Sequence, residues 1–457
     1  MTRFVGRQAG GRLARPLTPA QAIVMGFVAA IGVGTLLLRL PVAHAGTADI
    51  GWLTALFTAT SAVCVTGLIV VDTGSAWSPF GQVVILLLIK AGGLGILSLG
   101  ALVALATGRR MGFSARLRLQ VQTSAFQVGG VVRFIRRLLL FTTSAELVGM
   151  LALWPRLARD EGIAAGAWSA LFHAVSAFNN AGFALYPDSL VRYVADPIVS
   201  LIVAGLFVLG GLGLIVVVDV ALHFGAGGGS RHRVTLHTRL ALATTAILTV
   251  AAWGVIAGTE WTNPGTLARL EPAERPLAAL FQAVTPRTAG FNTIDQGEYR
   301  TPTVLVTMLL MFVGGNPGST AGGVKTTTLA VLVLATFAAA RGRDAVTSTG
   351  RSIEPATVMK AAVLATLGAL VVGTVATLIS ITDPGLPPLP VLFETVSAFG
   401  TVGLSMGITA DLSPWARLML VVLMLVGRVG LLTVALALVE EGPERPMRYP
   451  SEDVVVG

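Results

Sequence analysis

Apolar runs of about 20 residues, each long enough to cross a bilayer as a helix, recur along the whole chain and leave it few possible folds. They lie near 21–40, 82–106, 134–154, 197–222, 240–255, 303–340, 357–379 and 415–438. Only 12% of the residues are charged, while 54% are hydrophobic. A soluble domain would carry about twice that charged fraction. The chain is therefore read as a polytopic membrane protein, and its net charge of +9 is a signal of topology first. Arg3, Arg7, Arg12 and Arg15 precede a run long enough to span, so a first helix is expected rather than a cleavable leader. The arginine clusters have no interleaved aromatics, which argues against nucleic acid as a partner. Cys64 is the single cysteine, so an intrachain disulfide is impossible.

Between these runs a shorter motif returns four times. It reads ALFTATSAVCVTGLIVVD from Ala55, HAVSAFNNAGFALYPDSL from His173, ALFQAVTPRTAGFNTIDQ from Ala279 and VLFETVSAFGTVGLSMGI from Val391. Each copy has Leu-Phe, a small-residue segment, and a Gly followed by Leu or Phe. The glycines are Gly67, Gly182, Gly290 and Gly403, about 110 residues apart, far beyond a solenoid period. The third copy is one residue shorter between its Phe and its Gly. The unit is thus a folding module used four times, expected at 18–108, 109–230, 231–343 and 344–440. A basic segment 1–17 precedes the modules and a tail 441–457 follows them. The expected fold is all-α: four parallel helix–re-entrant pore loop–helix repeats, eight transmembrane helices in all, around a central pore.

The Lys/Arg bias sets the orientation. Arg109, Arg110, Arg116, Arg118, Arg133, Arg136 and Arg137 crowd the first inter-module connection. Arg231, Arg233 and Arg239 lie in the second, and Arg341, Arg343, Arg351 and Lys360 in the third. These connections and both termini are expected to be cytoplasmic. All four short segments then enter from outside.

Non-helical backbone at membrane depth survives only where protein or water satisfies it. Four glycine loops around one axis would present rings of carbonyl oxygens, which replace the hydration shell of a monovalent cation. The candidate lining residues are Val65, Thr66 and Gly67; Asn180, Ala181 and Gly182; Thr288, Ala289 and Gly290; and Thr401, Val402 and Gly403. No acidic ring accompanies them, so a carboxylate-built divalent site is excluded. Asn179 and Asn180 are read as braces of their loop.

Two further features interrupt the apolar pattern. MFVGGNPGSTAGGVKTTT, residues 311–328, is no nucleotide loop, because Val324 separates Gly323 from Lys325. A flexible segment at 314–325 beside a water-filled cavity fits it better. The other trailing helices share Gly92-Gly93-Leu94-Gly95, Gly210-Gly211-Leu212-Gly213 and Gly427-Arg428-Val429-Gly430. Arg428 thus replaces a glycine at membrane depth, where a charge is costly and a functional candidate by default. Lys90 also lies within a span, either approaching the helix interior or packing structurally.

VTGL, NNAGF, TAGFN and GTVGLS resemble the four selectivity-filter loops of the Trk/Ktr/HKT superfamily of potassium transporters, over essentially the whole chain. Eight spans starting at the first module are most similar to the KtrB type of membrane subunit. The resemblance implies potassium as substrate, with sodium as a possible activator and no covalent cofactor. It implies that glycine in all four loops goes with potassium selectivity, and that serine in the first loop marks sodium-permeable relatives. It further implies a gate formed by Arg428 with Gly314, Gly315, Gly318, Ser319, Thr320, Gly322, Gly323 and Lys325. The expected partners are a second copy of the chain, membrane lipid and a cytosolic ring of KtrA-type nucleotide-binding subunits. The basic connections would be docking surfaces.

The alternative is a secondary transporter of another monovalent cation, such as sodium or ammonium, which would favour acids or aromatics near the axis. Catalysis is not expected, because His and Ser residues form no recognisable constellation.

Overall fold

The computed structural model describes residues 18–46, 50–95, 131–224 and 233–438. The basic cluster at Arg109, Arg110, Arg116 and Arg118, Arg231, the segment 1–17 and the tail 441–457 lie outside them.

The described residues are mostly helical. Module one contains α1 (Pro19–Arg39), α2 (Trp52–Val63) and α3 (Pro79–Leu94). Next come α4 (Val131–Glu161), α5 (Ile163–Phe178) and α6 (Pro197–Phe224), then α7 (Leu236–Glu260), α8 (Arg275–Val284), α9 (Thr301–Phe312) and α10 (Thr326–Ala340). The last module holds α11 (Pro355–Thr382), α12 (Pro388–Gly400), α13 (Pro414–Val429) and α14 (Leu431–Leu438). A two-stranded hairpin, β1 (Thr347–Ser348) with β2 (Arg351–Ser352), joins α10 to α11.

Helix starts follow from capping chemistry. Thr18 forms a capping box with Gln21 at α1. Ser78 and Ser413 cap α3 and α13, each followed by a proline that costs no helical hydrogen bond in the first turn. Among the described residues five helices are long and apolar enough to span a membrane, and a sixth span is made if α13 and α14, bent by 100°, are taken together. The two other expected runs belong to α3, described only as far as its cap at Gly95, and to α9 with α10, separated by the irregular segment after Phe312.

The core is built around the short helices α2, α5, α8 and α12. The phenylalanine of each Leu-Phe pair, Phe57, Phe172, Phe281 and Phe393, is buried, with at most 2% of its surface exposed. Long apolar side chains on α1, α4, α7 and α11 face outward instead, among them Leu36, Leu147, Ile247 and Leu370. That inversion of a soluble pattern is what lipid as solvent favours.

Candidate functional site

The four motif glycines meet at one place. A Cβ on Gly67 would collide with Ala181 O, one on Gly290 with Val402 O, and one on Gly403 with Thr66 O. A Cβ on Gly182 would come within 2.8 Å of Gly290 Cα and 3.1 Å of Ala289 O. Each colliding oxygen belongs to the residue just before the glycine of the next loop in chain order, and the first loop closes on the fourth. The result is a closed ring in which Thr66, Ala181, Ala289 and Val402 press their carbonyls against the neighbouring glycine.

Backbone conformation repeats with the same register. Gly67, Gly182, Gly290 and Gly403 have φ of 89°, 70°, 76° and 94°. Two residues earlier, Val65, Asn180, Thr288 and Thr401 also have positive φ, between 51° and 72°. Three of these four are β-branched, which makes the conformation a true outlier. Such strain persists only where the surroundings enforce it, and it clusters at functional sites.

The short third loop keeps this register because the deletion falls outside it. The amides of Thr66, Ala181 and Val402 donate to carbonyls five residues back, at Ser61, Ser176 and Ser397. Ala289 donates to Thr285, four residues back. The missing residue is therefore lost from the turn after α8, not from the loop.

These hydroxyl residues have a second role that the sequence reading missed. Gly67 N donates to Ser61 Oγ at 3.0 Å, and Gly403 N to Ser397 Oγ at 3.1 Å. Ser176 Oγ donates to Phe183 O at 2.7 Å, and Thr285 Oγ1 donates to Phe291 O. All four stand four residues after the buried phenylalanine, so the fourfold alignment carried the signal. The residue directly after that phenylalanine ties down the outer limb in three modules. His173 Nε2 accepts from Leu185 N at 3.3 Å, Gln282 pairs with Thr293, and Glu394 accepts from Ser405 and Thr409.

Helices α2, α5, α8 and α12 all end at this ring, so their carbonyl ends, partly negative, face it. The trailing helices pack against those ends through their signature glycines. A Cβ on Gly92, Gly210 or Gly427 would collide with Val63 O, Phe178 O or Phe399 O. The last glycine of each signature, Gly95, Gly213 and Gly430, has φ of 78°, 80° and 93° and breaks its helix.

Broken helices leave carbonyls without partners, and the segment after Phe312 satisfies one set. Asn316 N donates to Gly211 O at 3.1 Å, and Thr320 N to Gly210 O at 3.3 Å. Asn316 Nδ2 reaches Leu212 O at 3.4 Å. The segment is held closed by Val324 N donating to Phe312 O, and Lys325 Nζ donates to Ala321 O at 2.6 Å. It lies directly against the loops. Thr320 Oγ1 bonds Asn180 Oδ1 at 2.9 Å, Gly322 packs on the Thr401 side chain, and Gly314 lies against Thr288. Gly315 abuts Ala321 and Ser319, while Gly318 and Gly323 have φ of 73° and 65°.

Arg428 satisfies the other set. Its Nη1 donates to Thr320 O, and its Nη2 donates to Gly92 O and, at 3.4 Å, to Gly93 O. One guanidinium thus joins the irregular segment to the broken end of α3. Lys90 pairs with Glu146 of α4, a partner the sequence reading did not identify. A cavity of about 410 Å³ opens on this region, lined in part by Gly93, Gly213, Ser319, Lys325 and Arg428.

With this geometry in view, comparisons with known proteins are specific. A family model described as TrkH, cation transport protein, matches residues 14–445. The chain is 40% identical over 441 residues to the Ktr system potassium uptake protein B of Bacillus subtilis, covering 96% of this chain and 97% of that protein. It is 37% identical over 454 residues to the potassium/sodium uptake protein NtpJ of Enterococcus hirae, covering 98% and 99%. Among solved structures, the potassium transporter TrkH from Vibrio parahaemolyticus shares the fold, with a TM-score of 0.72, 19% identity and coverage of 94% of this chain and 87% of that one. The family transports ions and is not one of enzymes. The chain is thus an integral membrane protein belonging to the TrkH family of cation transport proteins.

Proposed function

We propose that this chain is the potassium-translocating uptake subunit of a Ktr-type system, channel-like in build. The observation that carries the reading is the closed ring of Thr66, Ala181, Ala289 and Val402 carbonyls against Gly403, Gly67, Gly182 and Gly290 respectively. Such oxygens replace the hydration shell of a bare potassium ion. The negative ends of α2, α5, α8 and α12 favour a cation at the same point. Potassium moves down its electrochemical gradient through four helix–pore loop–helix repeats, eight spans in all, with α9 and α10 forming one broken span.

Below the filter, the segment 314–325 and Arg428 form the gate. Arg428 places a fixed positive charge beside the pathway and holds the segment shut through Thr320. Opening requires those hydrogen bonds to part, so that Gly314, Gly315, Gly318, Ser319, Gly322, Gly323 and Lys325 withdraw. Sodium acts as activator, a reading supported by the name potassium/sodium uptake protein of the Enterococcus relative. The protein works in the plasma membrane with both termini cytoplasmic, a reading supported by the positive charges of Arg136, Arg137, Arg341, Arg343 and Lys360 in the connections between modules. It pairs with a second copy and is regulated by a cytosolic KtrA-type ring.

The test is rubidium uptake into proteoliposomes containing the purified chain, with sodium as competitor. Potassium-competed, sodium-resistant uptake supports the reading. Uptake that excess sodium or ammonium abolishes would favour a secondary transporter of those ions.

A further inference from the structure

Lys90 on α3 and Glu146 on α4 form an ion pair inside the helical bundle, with Glu146 buried. Neither residue lines the glycine ring. Two charges removed from water carry a desolvation penalty that their attraction does not automatically repay. An ionisable pair at this depth therefore calls for a functional account.

The contacts around it supply one. Glu146 Oε1 also accepts a 2.8 Å hydrogen bond from Asn179 Nδ2. Asn179 caps α5, the helix that ends at the second filter loop, and is completely buried. Its side chain lies on Gly93, where any Cβ would collide with Asn179 Oδ1. Gly93 O, with Gly92 O, is the seat of Arg428. Arg428 holds Thr320 O, and Thr320 Oγ1 holds Asn180 Oδ1 at 2.9 Å. Asn180 follows Asn179 directly. The contacts form a closed circuit of Asn179, Gly93, Arg428, Thr320 and Asn180, to which Glu146 and Lys90 are attached at Asn179.

We propose that the Lys90–Glu146 pair is a positioning device that couples the gate to the second filter loop. Resting on the reading of Arg428 as gate and Gly182 as filter, it goes beyond that reading by assigning two residues outside both. Glu146 holds Asn179, and so sets where the second loop begins. Lys90 fixes the same helix, less than one turn before the carbonyls that seat Arg428. Displacing the pair moves the seat of the gate and the root of the loop together. Lys90 is suited to this because its flexible stem lets a point charge reach across from α3 to α4.

The experiment uses the full chain in proteoliposomes and reads basal rubidium leak and the rubidium-to-sodium flux ratio. Lys90→Met and Glu146→Gln should each raise the leak and lower the ratio, on the order of tenfold for either readout. The exchanged pair, Lys90→Glu with Glu146→Lys, should recover part of both. The decisive arm is the combination of Lys90→Met with Arg428→Ala. If the pair acts by seating Arg428, the double variant leaks no more than Arg428→Ala alone. Additive leaks, or single variants with wild-type leak and ratio, would overturn the proposal. If Lys90→Met does not assemble, Lys90→Arg and Glu146→Asp keep both charges and shift the reach. A changed flux ratio in these supports the coupling, and an unchanged one counts against it. Failure of the underlying reading looks different: the unaltered chain would then show no potassium-competed rubidium flux.

Discussion

Thr320 Oγ1 donates a 2.9 Å hydrogen bond to Asn180 Oδ1, so the irregular segment after Phe312 and the second glycine loop touch through buried side chains. The same asparagine reaches Thr288 of the third loop at 3.4 Å. The segment after Phe312 and the second and third glycine loops are therefore joined through one side chain, that of Asn180.

Removing that bond tests the contact. Thr320→Val keeps the shape and leaves Asn180 Oδ1 without its donor, at a cost of about 1–3 kcal/mol. Basal rubidium leak is expected to rise, and Thr320→Ser is expected to behave as the parent. Equal leak in both variants would show that the bond does not hold the gate.

Gly67→Ser attacks the ring itself. A side chain there meets Ala181 O and must keep a φ of 89°. The left-handed backbone alone costs about 1–2 kcal/mol, and relieving the collision displaces the second loop. The potassium-to-sodium flux ratio should fall by roughly tenfold, since 1.4 kcal/mol of lost discrimination is a factor of ten. An unchanged ratio in proteoliposomes would remove Gly67 from the filter.

Arg428→Ala removes the fork between Thr320 and Gly92. Basal flux should rise, by roughly tenfold or more if the gate is a two-state coupling of usual size. Arg428→Lys should fail to restore closure, because an ammonium cannot present two parallel donors in a fixed plane. Full closure with lysine would reduce the role of Arg428 to its charge.

Glu394→Gln probes the brace behind the fourth loop. The carboxylate accepts from the hydroxyls of Ser405 and Thr409. A carboxamide has one acceptor oxygen, so a buried donor is left unpaired, at about 1–3 kcal/mol. The thermal midpoint in detergent should drop and the flux ratio should fall with it. A drop in midpoint alone would make Glu394 a fold residue without influence on selectivity.

Asp383 gives a dependence on pH. It caps the end of α11 and accepts from Ser413 N and Ser413 Oγ, both at 2.8 Å, so it ties α11 to α13. Burial pushes its pKa up, but the hydrogen bonds from Thr382 and Ser413 outweigh this and hold it below the ordinary aspartate value. A depressed pKa contributes stability above the unfolded value and loses it as pH falls through the folded one. Asp383→Ala should therefore melt earlier than the parent at neutral pH, with the gap closing only in acid, below about pH 4. A gap that persists undiminished in acid would exclude the carboxylate as its source.

Much of this architecture could be read from particular residues. Run length places helices because a bilayer demands about 20 apolar residues wherever they occur. The fourfold return of Gly67, Gly182, Gly290 and Gly403 marks the loops because only glycine combines positive φ with so close a neighbour. The glycines and proline between Phe312 and Thr326 mark a break because clustered glycines weaken a helix and proline interrupts it. These are local properties, each carried by a residue and its near neighbours in the chain.

Only the tertiary structure decided which carbonyl meets which glycine, that the third loop loses its residue in the turn after α8, and that Lys90 belongs to Glu146. Those pairings join segments from 56 to 337 residues apart, and no periodicity encodes them. They depend on how helices pack once their apolar faces have met lipid or one another. Arg428 stands out in the sequence as a charge at a position held by glycine in the two other signatures, Gly93 and Gly211. That it joins Gly92 to Thr320 depends on α3 breaking at Gly95 and on the segment after Phe312 folding against the broken α6, which brings Thr320 O within reach.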